Sequence, residues 1–272
     1  MVHKIYARTY GRMKPGPNTP ANNPRSPVLL FLGRTEVHLW YVFPNGLTDR
    51  ALLGAYHDLM CPEERVQQQR FHFEKGRHEY LVTRALVRTT LSRYVAVDPR
   101  DWRFEKNAYG RPEIAYPRAI LPLRFNVSHT DALIVCLVAL DREIGVDVES
   151  IERPGETVEI ADLFFSPTEV AALRVLSTKA QSRRFFEYWT LKEAYIKARG
   201  MGVSLPLDQF SFHLEAGRPV RISFDRRLED NPQSWQFAQF RPTVQHIMAV
   251  AIRRGADADL DIQVKPTVPL LF

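Results

Sequence analysis

The alternation of apolar and polar positions lays out two successive series of elements. Val37-His38-Leu39-Trp40-Tyr41-Val42 has the β-branched and aromatic content of a strand. Cys61-Pro62-Glu63-Glu64 opens a polar helical stretch. A second helix is predicted from about Gly76 to Tyr94, where Tyr80, Leu81, Ala85, Leu86, Thr89 and Leu91 fall at helical spacing. Short segments, Trp102 to Glu105 and Glu113 to Ala115, flank a turn at Asn107 to Pro112. The apolar run Ala132 to Leu140 reads as a buried strand. In Ile144 to Glu149, apolar Ile144, Val146 and Val148 alternate with Gly145, Asp147 and Glu149, the period of a strand with one apolar face.

The order then repeats. Ser166-Pro167-Thr168-Glu169 is a capping box with proline at the first helical position. A long helix is predicted over about Ser182 to Arg199, stopped by Gly200, which tolerates a left-handed conformation. Phe210 to Leu214, a turn at Gly217 and Val220 to Phe224 follow, and then strands at Trp235 to Phe240 and His246 to Ile252. Three matches tie the halves together. Pro62 and Pro167 lie 105 positions apart, Gly110-Arg111-Pro112 and Gly217-Arg218-Pro219 lie 107 apart, and Glu79-Tyr80 and Glu187-Tyr188 lie 108 apart. A period of this size is a domain-scale duplication. The expected fold is therefore α+β, with two similar lobes in one chain related by a pseudo-twofold axis and a site in the cleft between them. The expected boundaries are a mobile N-terminal arm over 1–27, a first lobe over 28–140 and a second over 141–272.

Composition narrows the chemistry. The 272 residues are 45% hydrophobic and 25% charged, which suits a globular chain and excludes wholesale disorder. The longest apolar run falls far short of the about 20 residues that span a bilayer, so no membrane segment is expected. Two cysteines make no disulfide scaffold, and the 8 histidines show no ligand spacing, so any metal must be held by carboxylates. No charged-then-apolar leader pattern opens the chain, which points to the cytoplasm. Lys and Arg number 37 against 31 Asp and Glu, a net charge of +6 that favours an anionic partner. The basic residues are dispersed rather than gathered into a tail, which weighs against nucleic acid.

Asp147 and Glu149 point the same way from their strand, about 6–7 Å apart. They are either solvated acids on an exposed edge or carboxylates that share a cation. In the long helix, Phe186, Trp189, Glu193 and Ile196 form an apolar stripe that includes an acid, with Lys192 at its border. Glu193 is either paired with Lys197 one turn on or engaged with a metal. Together the three carboxylates and the lysine pair make an oxygen-ligand set suited to Mg²⁺, with Mn²⁺ as a substitute. An offset of 108 sets Ala85 opposite Glu193 and Arg84 opposite Lys192, and the strand Val37 to Val42 has no acid. Metal binding is thus expected once per chain, with basic residues from the other lobe. Ser128 and His129 are adjacent on a strand and point to opposite faces, so they cannot act as a nucleophile–base pair. Contact with an anion or a strand cap fits them better. Strand acids with a lysine and a basic surface also fit a Mg²⁺-dependent nuclease, and a basic binding protein without turnover is a third reading.

Taken in order, Gly110-Arg111-Pro112, Phe125-Asn126-Val127-Ser128-His129, Gly145 to Glu149, Trp189 to Lys197 and Gly200 to Leu207 resemble the 4′-phosphopantetheinyl transferases of the surfactin type, over about residues 60 to 215. The resemblance implies two similar α+β lobes with a site between them. It implies transfer of the phosphopantetheine arm of coenzyme A to a serine of an acidic acyl or peptidyl carrier protein, with release of 3′,5′-ADP. Asp147, Glu149 and Glu193 then correspond to Mg²⁺ ligands, and Lys192 and Lys197 to lysines near the pyrophosphate. Ser128, His129 and Arg111 correspond to contacts with the nucleotide phosphates, with Lys75 and Arg84 adding to that basic set. Glu193 is also the candidate general base, directly or through water, a role that competes with metal ligation. Two departures stand out: Glu64 and Gln67 occupy places where some relatives have lysines, and Arg111 replaces a more usual lysine. Fusion of two lobes implies an active monomer with one coenzyme A site.

Overall fold

A computed structural model describes residues 29–117, 121–152, 158–254 and 259–271. The expected arm over 1–27 lies outside them. The first series runs β1 (Glu36–Val42), α1 (Arg50–Leu59), α2 (Pro62–Gln69), α3 (Glu74–Ser92), β2 (Arg103–Lys106), β3 (Pro112–Tyr116), β4 (Leu123–Thr130) and β5 (Leu133–Leu140). The second runs β6 (Ile144–Ser150), α4 (Ala161–Phe164), α5 (Pro167–Arg174), α6 (Thr178–Arg199), β7 (Phe210–His213), β8 (Arg221–Phe224), β9 (Trp235–Phe240) and β10 (His246–Arg253), and β11 (Asp261–Pro266) follows.

The two series build sheets of the same order. In the first, β1 pairs antiparallel with β5, and β5 with β4. In the second, β6 pairs antiparallel with β10, and β10 with β9. Each series also carries a separate hairpin, β2–β3 or β7–β8. The mixed α+β fold and the repeated strand order agree with the internal duplication.

Three apolar clusters set the layering. One face of the first sheet, with Trp40, Ile134 and Cys136, packs under α1 and α3. The inner face of the second sheet, with Ala249 and Ala251, packs under α6. Between the sheets, Leu39, Val135 and Leu137 of the first meet Val146, Val148 and Val250 of the second. β5 is therefore covered on both faces, which is why it reads as an unbroken apolar run. Among the described residues no helix is long and apolar enough to cross a membrane.

One segment departs from the expected boundaries. Residues 261–266 fall within the expected second lobe, but as β11 they run parallel to β1 as the fourth strand of the first sheet. It is fastened there by Tyr56, whose hydroxyl donates to the Pro269 carbonyl at 2.9 Å, and by Arg93, which donates to Thr267 Oγ1 at 2.7 Å. The outer edge of β1 has free backbone groups, and a parallel strand satisfies them.

Candidate active site

Because Ile144, Val146 and Val148 turn into the space between the sheets, Gly145, Asp147 and Glu149 face away from it, and Gly145 faces α6. Gly145 makes that approach close. A Cβ there would lie 2.0 Å from the Ala194 carbonyl oxygen and 2.4 Å from the Ala198 amide nitrogen. Asp147 is thereby pressed against α6, where Lys197 Nζ donates to its Oδ1 at 2.7 Å.

β6 is an edge strand of its sheet, and β4 serves its open side through side chains. Asn126 Oδ1 accepts from the Val146 amide at 2.8 Å, and Thr130 Oγ1 accepts from the Ser150 amide at 3.3 Å. Between them Ser128 Oγ donates to Asp147 Oδ1 at 2.9 Å and accepts from Lys197 Nζ at 3.0 Å. Asn126 and Thr130 were missed as site-forming residues. Their signal is the two-residue period Asn126, Ser128, Thr130, which places all three on one face of β4. His129 points the other way and is exposed.

Glu193 lies half-buried one helical turn before Lys197 and lines a cavity of about 280 Å³ with Lys197, Arg111, Asn126 and Tyr109. Burial first, and the charge of Asp147 second, push its carboxyl above the ordinary glutamate value, while Lys197 pulls it back. A second cavity of about 610 Å³, lined by Lys75, His129, Glu149 and His246, lies at the far end of β6. The exposed Lys75 donates to Asp131 at 2.5 Å there, a contact that raises its ammonium.

The expected set of carboxylates is only partly assembled. Among the described residues no three His, Cys, Asp or Glu side chains converge as a metal cluster. The charge of Asp147 reaches Glu193, but Glu149 sits two residues along the strand, where Thr130 Oγ1 donates to it at 3.4 Å. Lys197 and Ser128 share one oxygen of Asp147. The other, Oδ2, is buried with no hydrogen-bond partner. An orphaned carboxylate oxygen beside a desolvated glutamate fits a cation between them.

Two expected phosphate contacts lie away from the cavities, and a third is engaged with helix backbone. Lys192 is fully buried and turned away from Glu193. Its Nζ lies 2.7 Å from Glu169 Oε2 and donates to the carbonyls of Leu207 at 2.7 Å and Phe210 at 2.8 Å. Arg84, its counterpart in the first lobe, pairs with Glu64, which also accepts from Arg88 at 2.8 Å. Both acids are the third residue of a capping box, so the duplicated feature is an ion pair locking a short helix onto a long one. Glu64 thus takes a structural role, holding α2 against α3. Arg111, the third, sets its guanidinium on the last carbonyls of α6 and on Glu113.

Burial pushes the Lys192 ammonium down from its ordinary value against the pull of Glu169. Replacing Lys192 with Met should lower stability by about 3–5 kcal/mol, the usual result of leaving a buried carboxylate unpaired. Urea unfolding measures that loss. The unfolding midpoint should fall equally with and without added inorganic phosphate, whereas a phosphate contact would make the loss depend on it.

Comparison with known proteins gives one consistent picture. A family model described as the 4′-phosphopantetheinyl transferase superfamily matches residues 143–251. A second, described as 4′-phosphopantetheinyl transferase, N-terminal, matches residues 49–140. The chain is 30% identical to the 4′-phosphopantetheinyl transferase HetI of Nostoc sp., over 84% of this chain and 92% of that protein. It is 37% identical to a 4′-phosphopantetheinyl transferase of Bacillus subtilis, over 64% of this chain and 77% of the other. It is 36% identical to the 4′-phosphopantetheinyl transferase Sfp of Bacillus subtilis, over 61% and 72% respectively.

Proposed function

This chain belongs to the 4′-phosphopantetheinyl transferase superfamily, and we propose that it moves the 4′-phosphopantetheine group of coenzyme A onto a serine of a carrier protein. The observation that carries this reading is the meeting of Asp147, Ser128, Lys197 and Glu193 where β4, β6 and α6 come together beside a cavity. The family matches lend nothing to the nuclease reading.

The carrier serine oxygen forms a bond to the β-phosphorus of coenzyme A, the bond from that phosphorus to the bridging oxygen breaks, and 3′,5′-ADP leaves. Glu193 takes the serine proton, directly or through a water. That role competes with metal ligation, which favours the ionised carboxylate. Lys197 offsets negative charge on the diphosphate and holds Asp147 in place. Asp147 and Glu193, with Glu149 alongside, would hold Mg²⁺, or Mn²⁺ in its stead, which when bound shields the diphosphate charge. His129 and Lys75, at the larger cavity, are the groups we assign to the nucleotide phosphates.

We read the two repeats as lobes related by a pseudo-twofold axis. Both walls of the site come from one chain, so a monomer with one coenzyme A site, acting in the cytoplasm, suffices. A net charge of +6 suits an acidic acyl or peptidyl carrier partner. The test is mass spectrometry of apo carrier proteins after incubation with the protein, Mg²⁺ and coenzyme A. One phosphopantetheine should be gained per carrier, and Asp147→Ala should abolish the gain. An Asp147→Ala protein that loads carriers at the normal rate would sink the reading.

A further inference from the structure

The tip of the β2–β3 hairpin reaches from the first lobe onto the last turn of α6. That turn ends at Gly200 in a left-handed conformation, with φ +64°. The Gly200 amide donates to the Lys197 carbonyl at 3.2 Å, while the carbonyls after it need partners outside the helix. Arg111 Nη1 donates to the carbonyls of Ala198 at 2.9 Å and Lys197 at 3.3 Å, and Asn107 Nδ2 donates to that of Gly200 at 3.0 Å. The tip is built for this contact. Asn107 Oδ1 accepts from the amides of Tyr109 and Arg111, both at 2.9 Å, so one side chain shapes the turn and grips the helix. Glu113 accepts from Arg111 Nη2 at 2.8 Å and fixes the other side of the guanidinium. The fit is tight: a Cβ on Gly200 would lie 2.5 Å from Arg111 Cζ. Among the described residues the duplicated hairpin shows no such contact. Its Arg218 is exposed and pairs with Glu215 three residues away.

We propose that Asn107 and Arg111 are positioning residues, which clamp the end of α6 so that Lys197 meets Asp147 and Ser128. Arg111 holds the backbone of the same residue whose ammonium reaches Asp147, 2.7 Å away. This goes beyond the phosphate role that the family resemblance implies for Arg111, and it rests on the transferase reading only for its kinetic arm. It also gives the arginine a reason. Nη1 takes the two helix carbonyls while Nη2, on the other arm of the planar fork, takes Glu113, a spread that a single ammonium nitrogen does not reproduce at this place.

The experiment uses the full chain carrying Arg111→Ala, Arg111→Lys or Asn107→Asp, with Arg218→Ala as control. Asn107→Asp keeps the acceptor that shapes the turn and sets a carboxylate oxygen against the Gly200 carbonyl, so the hairpin should stay folded while the grip on the helix is lost. Each of the three clamp variants should lower kcat roughly tenfold, because small displacements of a reacting group cost rate steeply. KM for coenzyme A should change by less than about threefold, since the lost interaction is not a contact with bound substrate. Amide hydrogen exchange over residues 196–204 should quicken in all three and stay unchanged in Arg218→Ala. An Arg111→Ala protein with a raised KM and intact kcat, restored by Arg111→Lys, would overturn the proposal in favour of direct phosphate contact. So would unaltered exchange in the clamp variants. Failure of the wild-type chain to load any carrier would refute the transferase reading instead, and exchange would still decide the clamp.

Discussion

Glu193→Gln is expected to abolish transfer while making the fold more stable. Loss of a proton acceptor alone removes about 10²–10⁴-fold in rate. Stability moves the other way because burial, and then the charge of Asp147, hold the Glu193 carboxyl above its ordinary value of 4.5. The folded chain thus keeps this proton more tightly than the unfolded chain does. The group favours folding below the ordinary glutamate range, and that contribution is lost as pH rises through the elevated folded value. At neutral and alkaline pH the ionised side chain burdens the fold, and glutamine relieves it by about 0.5–2 kcal/mol, a common trade between activity and stability. Thermal unfolding of both proteins across pH checks the sign. The advantage of glutamine should be present at pH 8 and fade below pH 4.5. An advantage confined to acid, or a variant as active as the wild type, contradicts this assignment.

A large structural effect should follow from Gly145→Ala. The added methyl meets helix backbone, the Ala194 carbonyl and the Ala198 amide, rather than a side chain that can swing aside. Either β6 lifts from α6 or the helix bends, and in both cases Asp147 leaves Lys197. Overpacking commonly costs about 1–3 kcal/mol, and a clash with rigid backbone on both sides belongs at or above the top of that range. Gly217→Ala makes the useful comparison. Gly217 has open space around it but φ of +74°, so only backbone strain of about 1–2 kcal/mol applies. Urea midpoints should fall much further for Gly145→Ala, with transfer lost in whatever remains folded. Equal midpoints would mean that the strand and helix are not pressed together as described.

Periodicity and punctuation made much of the fold legible. Trp235–Phe240 is a strand over the expected residues, α6 stops at Gly200, and Ser166 caps α5 as its capping box predicts. The duplication was visible in three short matches, and the repeated strand order accords with it. What escaped detection depends on distant partners. β11 alternates weakly, and its pairing with β1 joins segments more than 200 positions apart. α1, opened by Asp49 accepting from the Leu52 amide, was missed within a short mixed stretch. In the site, alternation placed Asp147 and Glu149 on one face, but spacing along a strand carries no news of Lys197 filling one side of Asp147. Lys192 was misplaced because α6 is buried around most of its circumference. An apolar stripe on such a helix does not separate a cleft-facing residue from one facing the core.

The pairing of β11 with β1 also bears on how the chain folds as it leaves the ribosome. Synthesis is vectorial, and domains generally fold as they emerge. Here the first sheet lacks one of its four strands until residue 266 has been made, long after its other three. Throughout that interval the outer edge of β1 is a template for any extended segment nearby, including the same segment of a neighbouring nascent chain on a polysome.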